Sequence, residues 1–98
     1  MLSVVIVTYN RSEVLKNNLE NFKNQTDEDF EIVVGIDGST DDTVEMLMDF
    51  DCDFPLKWVD TGETEKYCLA KARNMAIIEA SGEAVVVIDD DSYPSPEF

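Results

Sequence analysis

Three aspartates stand in succession, Asp89, Asp90 and Asp91, directly after the apolar run Ala84 to Ile88. Carboxylates that close repel one another unless a cation joins them, and divalent metals that prefer oxygen ligands are the natural partner. If the alternation of a strand continues through them, Asp89 and Asp91 point to one side and Asp90 to the other. The first and third then address a single ligand. An acidic turn at a strand end is the competing reading, and these three residues alone leave both open.

Two other clusters could do chemistry. Tyr9, Asn10 and Arg11 close the first apolar run, and Asp37, Gly38 and Ser39 close the second. Tyr9 has a face for a nucleobase, although packing on a following helix is the more ordinary use of such a ring. Asp37 could accept a hydrogen bond from a base or ribose, or simply shape a turn with Gly38 and Ser39. Arg73, expected one turn before the end of a helix, could neutralise a carboxylate or phosphate, or complement the helix dipole. Some chemistries are missing. No Gly-x-Gly-x-x-Gly and no phosphate loop ending in Gly-Lys-Ser/Thr occur, and without histidine a Ser-His or Cys-His pair cannot form.

The elements that must position these groups follow from apolar periodicity. Ser3 to Thr8, Glu31 to Ile36 and Ala84 to Ile88 are short, β-branched, nearly continuous apolar runs, which predicts strands buried in a parallel sheet; Leu56 to Val59 is a weaker one. Between them, three stretches carry helical spacing. Ser12 is expected to cap a helix with Leu15, Leu19 and Phe22 on one face that ends near Gln25. A second helix from about Asp41 has an acidic first turn and the stripe Val44, Leu47, Met48. The third presents Leu69, Ala72, Ala76, Ile77 and Ala80 and stops before Gly82. Unbroken alternation of strand and helix predicts βαβ units, a parallel sheet and an α/β fold. In such sheets ligands sit outside the carboxyl ends of the strands, which is where all three polar clusters fall.

The chain has 98 residues, 44% of them apolar, enough for one small domain with a modest core. Twenty-two acidic against seven basic residues give a net charge of −15. That argues against nucleic acid or an anionic membrane as a partner, and a phosphate ligand would need help from a cation. Cys52 and Cys68 have no metal-site spacing and are read as reduced, partly buried thiols. The N-terminal apolar run is far too short to span a membrane, so this segment is expected to be soluble and cytoplasmic, without excluding a membrane association of a longer form.

Taken together and in order, these motifs resemble glycosyltransferase family 2, over essentially the whole chain. VVIVTYNR at 4–11 is similar to the family's opening strand and turn, with Val7 where proline is frequent. GIDGSTDDT at 35–43 resembles its Asp-Asp-Gly-Ser-Thr-Asp segment, with Ile36 replacing the first aspartate and Asp37 keeping the second. ARN at 72–74 resembles a motif inside the third helix, and GEAVVVIDDDS at 82–92 the strand leading into Asp-x-Asp, with Ser92 departing from the aspartate often found next.

The resemblance implies a truncated GT-A (nucleotide-diphospho-sugar transferase) fold: a three-layer α/β/α sandwich whose mainly parallel four-stranded sheet has the order 3-2-1-4. Residues 1–98 would be its nucleotide-sugar-binding half, without the acceptor half. It further implies that a nucleotide sugar, usually a UDP-sugar, is held by Thr8, Tyr9, Arg11, Asp37, Arg73, Asp89 and Asp90. Tyr9 packs against the base and Asp37 bonds to its edge. Asp89 and Asp91 form the Asp-x-Asp pair with Mn²⁺ or Mg²⁺. The implied reaction is inverting, metal-dependent sugar transfer to an acceptor hydroxyl. Its general base lies beyond Phe98, so the 98 residues alone are expected to be inactive.

A nucleotide- or metal-binding module without catalysis shares the same site, and a phosphoacceptor receiver domain also has acidic strand ends. In the receiver, however, an acidic pair follows the first strand, where Tyr9 and Asn10 stand here. Loss of the later strands would leave the edge of the fourth strand bare, an expected surface for homo-oligomer formation.

Overall fold

The computed structural model describes residues 2–23, 29–38, 41–52, 54–62 and 69–89, apart from the side chains of Leu69 and Asp89. Strands β1 (Leu2–Thr8), β2 (Phe30–Ile36), β3 (Leu56–Asp60) and β4 (Ala84–Asp89) alternate with helices α1 (Ser12–Phe22), α2 (Thr43–Asp49) and α3 (Leu69–Glu79). All three strand pairings are parallel, and the sheet order is β3-β2-β1-β4. The α/β class and the order expected from the sequence are what the chain adopts.

Register makes the sheet a two-sided wall. Val4, Ile6, Ile32, Val34 and Ile36 turn to one face, where Leu15, Leu19 and Phe22 of α1 and Leu47 of α2 complete the main core. Val5 and Val33 turn to the other, against Ala76 of α3. The apolar β-branched runs are therefore explained by burial on both faces. Helix α3 reaches the sheet closely because its inner face is alanine. At Gly35 a Cβ would stand 2.5 Å from the Ala72 carbonyl oxygen, so no side chain fits between strand and helix there.

Several local expectations need correction. Ser12 does not cap α1: it is the first helical residue, the N-cap is Arg11, and no N-cap side chain bonds to the helix. Helix α2 begins at Thr43 rather than Asp41, and Met48 is 69% exposed while Met46 packs on the core. The helix is only seven residues long, and its inward face includes position 46 instead of 48. Ile77 likewise leaves the inner face of α3, at 37% exposed. Helix α1 ends at Phe22 with Lys23 as its C-cap, three residues short of the expected Gln25.

At the amino ends of the strands a buried carboxylate joins four segments. Glu31, 3% exposed, accepts hydrogen bonds from the Ser3 hydroxyl at 2.6 Å and the Ser81 backbone N–H at 2.6 Å. The Ser81 hydroxyl also donates to it at 3.0 Å, and Lys57 Nζ stands 3.2 Å away. The Gly82 N–H donates to Ser3 Oγ at 2.7 Å, which ties the turn before β4 to β1. Cys52 is half-buried, its thiol donating to the Phe54 carbonyl at 3.3 Å; Cys68 lies outside the described residues.

Candidate nucleotide-binding edge

The carboxyl ends of the strands are level. Val7 pairs with Gly35 on one side and Asp89 on the other, and Thr8 pairs with Ile36, which pairs with Asp60. The ladder then runs one step further, with the Asp37 N–H donating to the Thr8 carbonyl at 3.0 Å and the Thr61 N–H to the Ile36 carbonyl at 2.9 Å. Thr8, Tyr9, Arg11, Asp37 and the backbone of Asp89 thus gather at one edge, as the sequence led us to expect. The ends of β2 and β4 flank β1, so they are separated by two inter-strand steps, about 10 Å.

The turn after β1 is shaped by one carboxylate. Asn10 takes a positive φ of 49°, and its side-chain oxygen accepts the Asp41 N–H at 3.2 Å. Asp41 Oδ2 accepts the Ser12 N–H at 3.1 Å, while Oδ1 accepts the Thr43 N–H at 3.1 Å and the Thr43 hydroxyl. One aspartate therefore satisfies first-turn donors of both α1 and α2, the groups a helix leaves open. Burial alone would raise the Asp41 pKa, but the donors from Thr43 and Ser12 hold it below the ordinary carboxylate value. The loop carrying Tyr9 and Arg11 is fastened in this way to the loop that follows Asp37.

Thr8 and Asp37 are buried, Tyr9 is half-buried and Arg11 is exposed. Asp37 is fully covered, which differs from the accessible strand-end group its role would need; the Thr61 hydroxyl donates to its Oδ1 at 3.3 Å. Arg73 is exposed and is the fifth residue of the eleven in α3. It is therefore in the first half of the helix and not one turn from its end, so a role at the helix's negative pole falls away. Instead the contact of Ala72 with Gly35 places it two strand residues short of Asp37.

Asp90, Asp91 and the side chain of Asp89 lie outside the described residues. Among the described residues no group of three or more His, Cys, Asp or Glu side chains is placed to hold a metal ion. A groove of about 640 Å³ between α1 and α2 is lined by Glu13, Asp42, Glu45 and Asp49 against the single cation Lys16. Its charge is wrong for a diphosphate. Asp41, Asp60 and Thr61 were not singled out from the sequence. Asp60-Thr61-Gly62, a turn directly after an apolar run, was the available signal for two of them.

The chain also resembles known proteins along its length. Residues 3–98 fit the model of the family described as glycosyl transferase family 2. The chain belongs to that family. It is 40% identical over 97 residues to the uncharacterized glycosyltransferase YfnE of Bacillus subtilis, covering 98% of this chain and 24% of that protein. It is 37% identical over 100 residues to the validoxylamine A glucosyltransferase of Streptomyces hygroscopicus subsp. jinggangensis, again covering 24% of the relative. The chain thus spans about a quarter of the length of these relatives.

Two solved structures carry GT-A architecture onto the family 2 chain. Staphylococcus aureus TarS 1-349 in complex with UDP-GlcNAc superimposes with a TM-score of 0.85 at 32% identity, covering 97% of this chain and 28% of that one. The mannosyltransferase PcManGT of Pyrobaculum calidifontis, in complex with GDP-Man and Mn²⁺, gives 0.83 at 33% identity, covering 97% and 29%. The sheet described here is the GT-A sheet. No helix among the described residues is long and apolar enough to cross a membrane.

Proposed function

We propose that residues 1–98 form the nucleotide-sugar-binding part of a metal-dependent, inverting glycosyltransferase, with the donor lying along the carboxyl edge from β2 to β4. The observation that carries this is the convergence of Tyr9, Arg11 and Asp37 with the end of β4, in a chain whose structural neighbours are in complex with UDP-GlcNAc and with GDP-Man and Mn²⁺. In this reading Tyr9 lies against the base and Asp37 accepts from its edge. Because Asp37 is buried, a base reaches its carboxylate only by displacing the groups that cover it. Thr8 frames the turn, and Arg11 and Arg73 supply positive charge towards the phosphates.

Three consecutive carboxylates have the donor chemistry of a hard divalent cation, and Asp89 and Asp91 would hold Mn²⁺ or Mg²⁺. Once bound, the cation offsets charge on the departing diphosphate. With so acidic a chain, a diphosphate could not otherwise settle beside these aspartates. In the transfer itself an acceptor hydroxyl attacks the anomeric carbon opposite the leaving nucleoside diphosphate. The carbon–oxygen bond to phosphate breaks, and the hydroxyl proton passes to a carboxylate base. That base is not assigned to any residue of this chain. The acceptor site is assigned to the remainder of a longer protein.

Calorimetric titration of UDP in the presence of Mn²⁺ tests the reading. Substituting Asp91→Ala removes a charge that holds the cation, and is expected to weaken UDP binding at least about tenfold. Unchanged affinity would remove Asp91 from the site. A protein that binds the nucleotide through Asp91 yet transfers no sugar to any acceptor would be a binding module, not an enzyme.

A further inference from the structure

The end of β3 supplies groups to which the nucleotide reading gives no role. Asp60 Oδ1 accepts two backbone donors, the Gly38 N–H at 3.0 Å and the Gly62 N–H at 2.9 Å. The adjacent Thr61 hydroxyl donates to Asp37 Oδ1 at 3.3 Å. On the opposite side the Asp37 N–H is taken by the Thr8 carbonyl at 3.0 Å. The two peptides that flank Asp37 are therefore each pinned, the one before it by a β1 carbonyl and the one after it by a β3 carboxylate. Gly38 and Gly62 have φ values of 58° and 72°, the left-handed region that glycine enters freely. Glycine at such a position leaves the turn with many alternative conformations, so the Asp60 contacts select the one observed.

We propose that Asp60 is a positioning residue that, through Gly38, fixes the Asp37 carboxylate for discrimination among nucleobases. This rests on the base-reading role given to Asp37 above. An ionised carboxylate only accepts hydrogen bonds. It is satisfied by the imide N–H of uracil, whereas at the same place cytosine presents a lone pair, so the wrong base leaves two acceptors facing each other. A site built around one hydrogen bond rejects the analogue that lacks it only if the partner atom is held in place. The two-sided pin provides that hold while the groups covering Asp37 move aside. Both N–H groups are served by the single oxygen Oδ1, so the carboxamide oxygen of asparagine can replace it and a methyl group cannot. Asp60 is itself exposed, and neither substitution opens the core.

The test is calorimetric titration with UDP and with CDP, each with Mn²⁺, on the protein carrying this chain and on its Asp60→Ala and Asp60→Asn variants. The unsubstituted protein is expected to prefer UDP by about tenfold or more, the cost of one unmatched hydrogen bond. Asp60→Ala should reduce that preference to about threefold or less, and Asp60→Asn should restore it. A purely structural effect would weaken both nucleotides in equal proportion and keep the preference, which overturns the proposal. So does an asparagine variant that loses preference as fully as alanine, because a charge and not a pinned turn would then be responsible. Both results leave the role of Asp37 standing. An unsubstituted protein that binds UDP and CDP alike removes that role itself, and one that binds neither removes the nucleotide site.

Discussion

Glu31 is a carboxylate whose environment, more than its type, decides what it does. Burial alone would raise its pKa, but the Ser3 hydroxyl, the Ser81 N–H, Lys57 and the Ser81 hydroxyl together lower it from 4.5 to about 2. The folded state therefore prefers the charged form. Its contribution to stability is present above pH 4.5 and is lost as pH falls towards 2. A shift of that size corresponds to roughly 3 kcal/mol at neutral pH. Glu31→Gln places amide hydrogens against the Ser81 and Ser3 donors, and should cost stability at pH 7 while flattening the loss between pH 5 and 3. Urea unfolding across that range would measure both; a variant as stable as the parent at pH 7 would contradict the assigned network. None of this was legible in the sequence, since Ser81 lies fifty residues from Glu31. The same holds for Asp41, which bonds to Ser12 across twenty-nine residues. Local capping rules pointed to Ser12 itself because they see only neighbouring positions.

Strands were more legible than helix faces. Each strand was found within two residues of its ends, because burial on both faces demands an unbroken apolar run that few other structures need. Helix faces failed at Met48 and Ile77, where one apolar residue beside the stripe could not be told from one within it. The two outer strands are less buried than the central pair, with every residue of β3 only partly covered or exposed and β4 the most open. Helix α3 packs over β1, β2 and β3, and Val85 and Val87 of β4 are 42% and 44% exposed. Among the described residues the side of β4 away from β1 pairs with no strand. The run Ala84 to Ile88 has no charge or proline, an apolar edge of that kind is a template for another chain, and residues 1–98 on their own should self-associate there. The net charge of −15 opposes contact between copies, so association should strengthen as salt screens it. Light scattering on a size-exclusion column should show mass rising with salt; a monomer at every salt and high protein concentration would count against the edge.

At the scale of the molecule, the proposed site position follows from the sheet order. With β1 central and β4 added on the side away from β2, the connections diverge at the carboxyl end of β1, beside Tyr9, where the donor is proposed to lie. Alternation of elements and the ordered motifs made that legible from sequence. The closeness of α3 at Gly35 and the cover over Asp37 were not, because both depend on how elements meet. In the proposed arrangement a nucleotide spans this edge with its base at Asp37 and its diphosphate at the β4 aspartates. The most direct measurement is a crystal structure of the protein carrying this chain with UDP and Mn²⁺. Uracil between Tyr9 and Asp37, and a cation between Asp91 and the diphosphate, are the predicted result. UDP bound elsewhere on the chain, or at this edge with its uracil away from Tyr9 and Asp37, would contradict it.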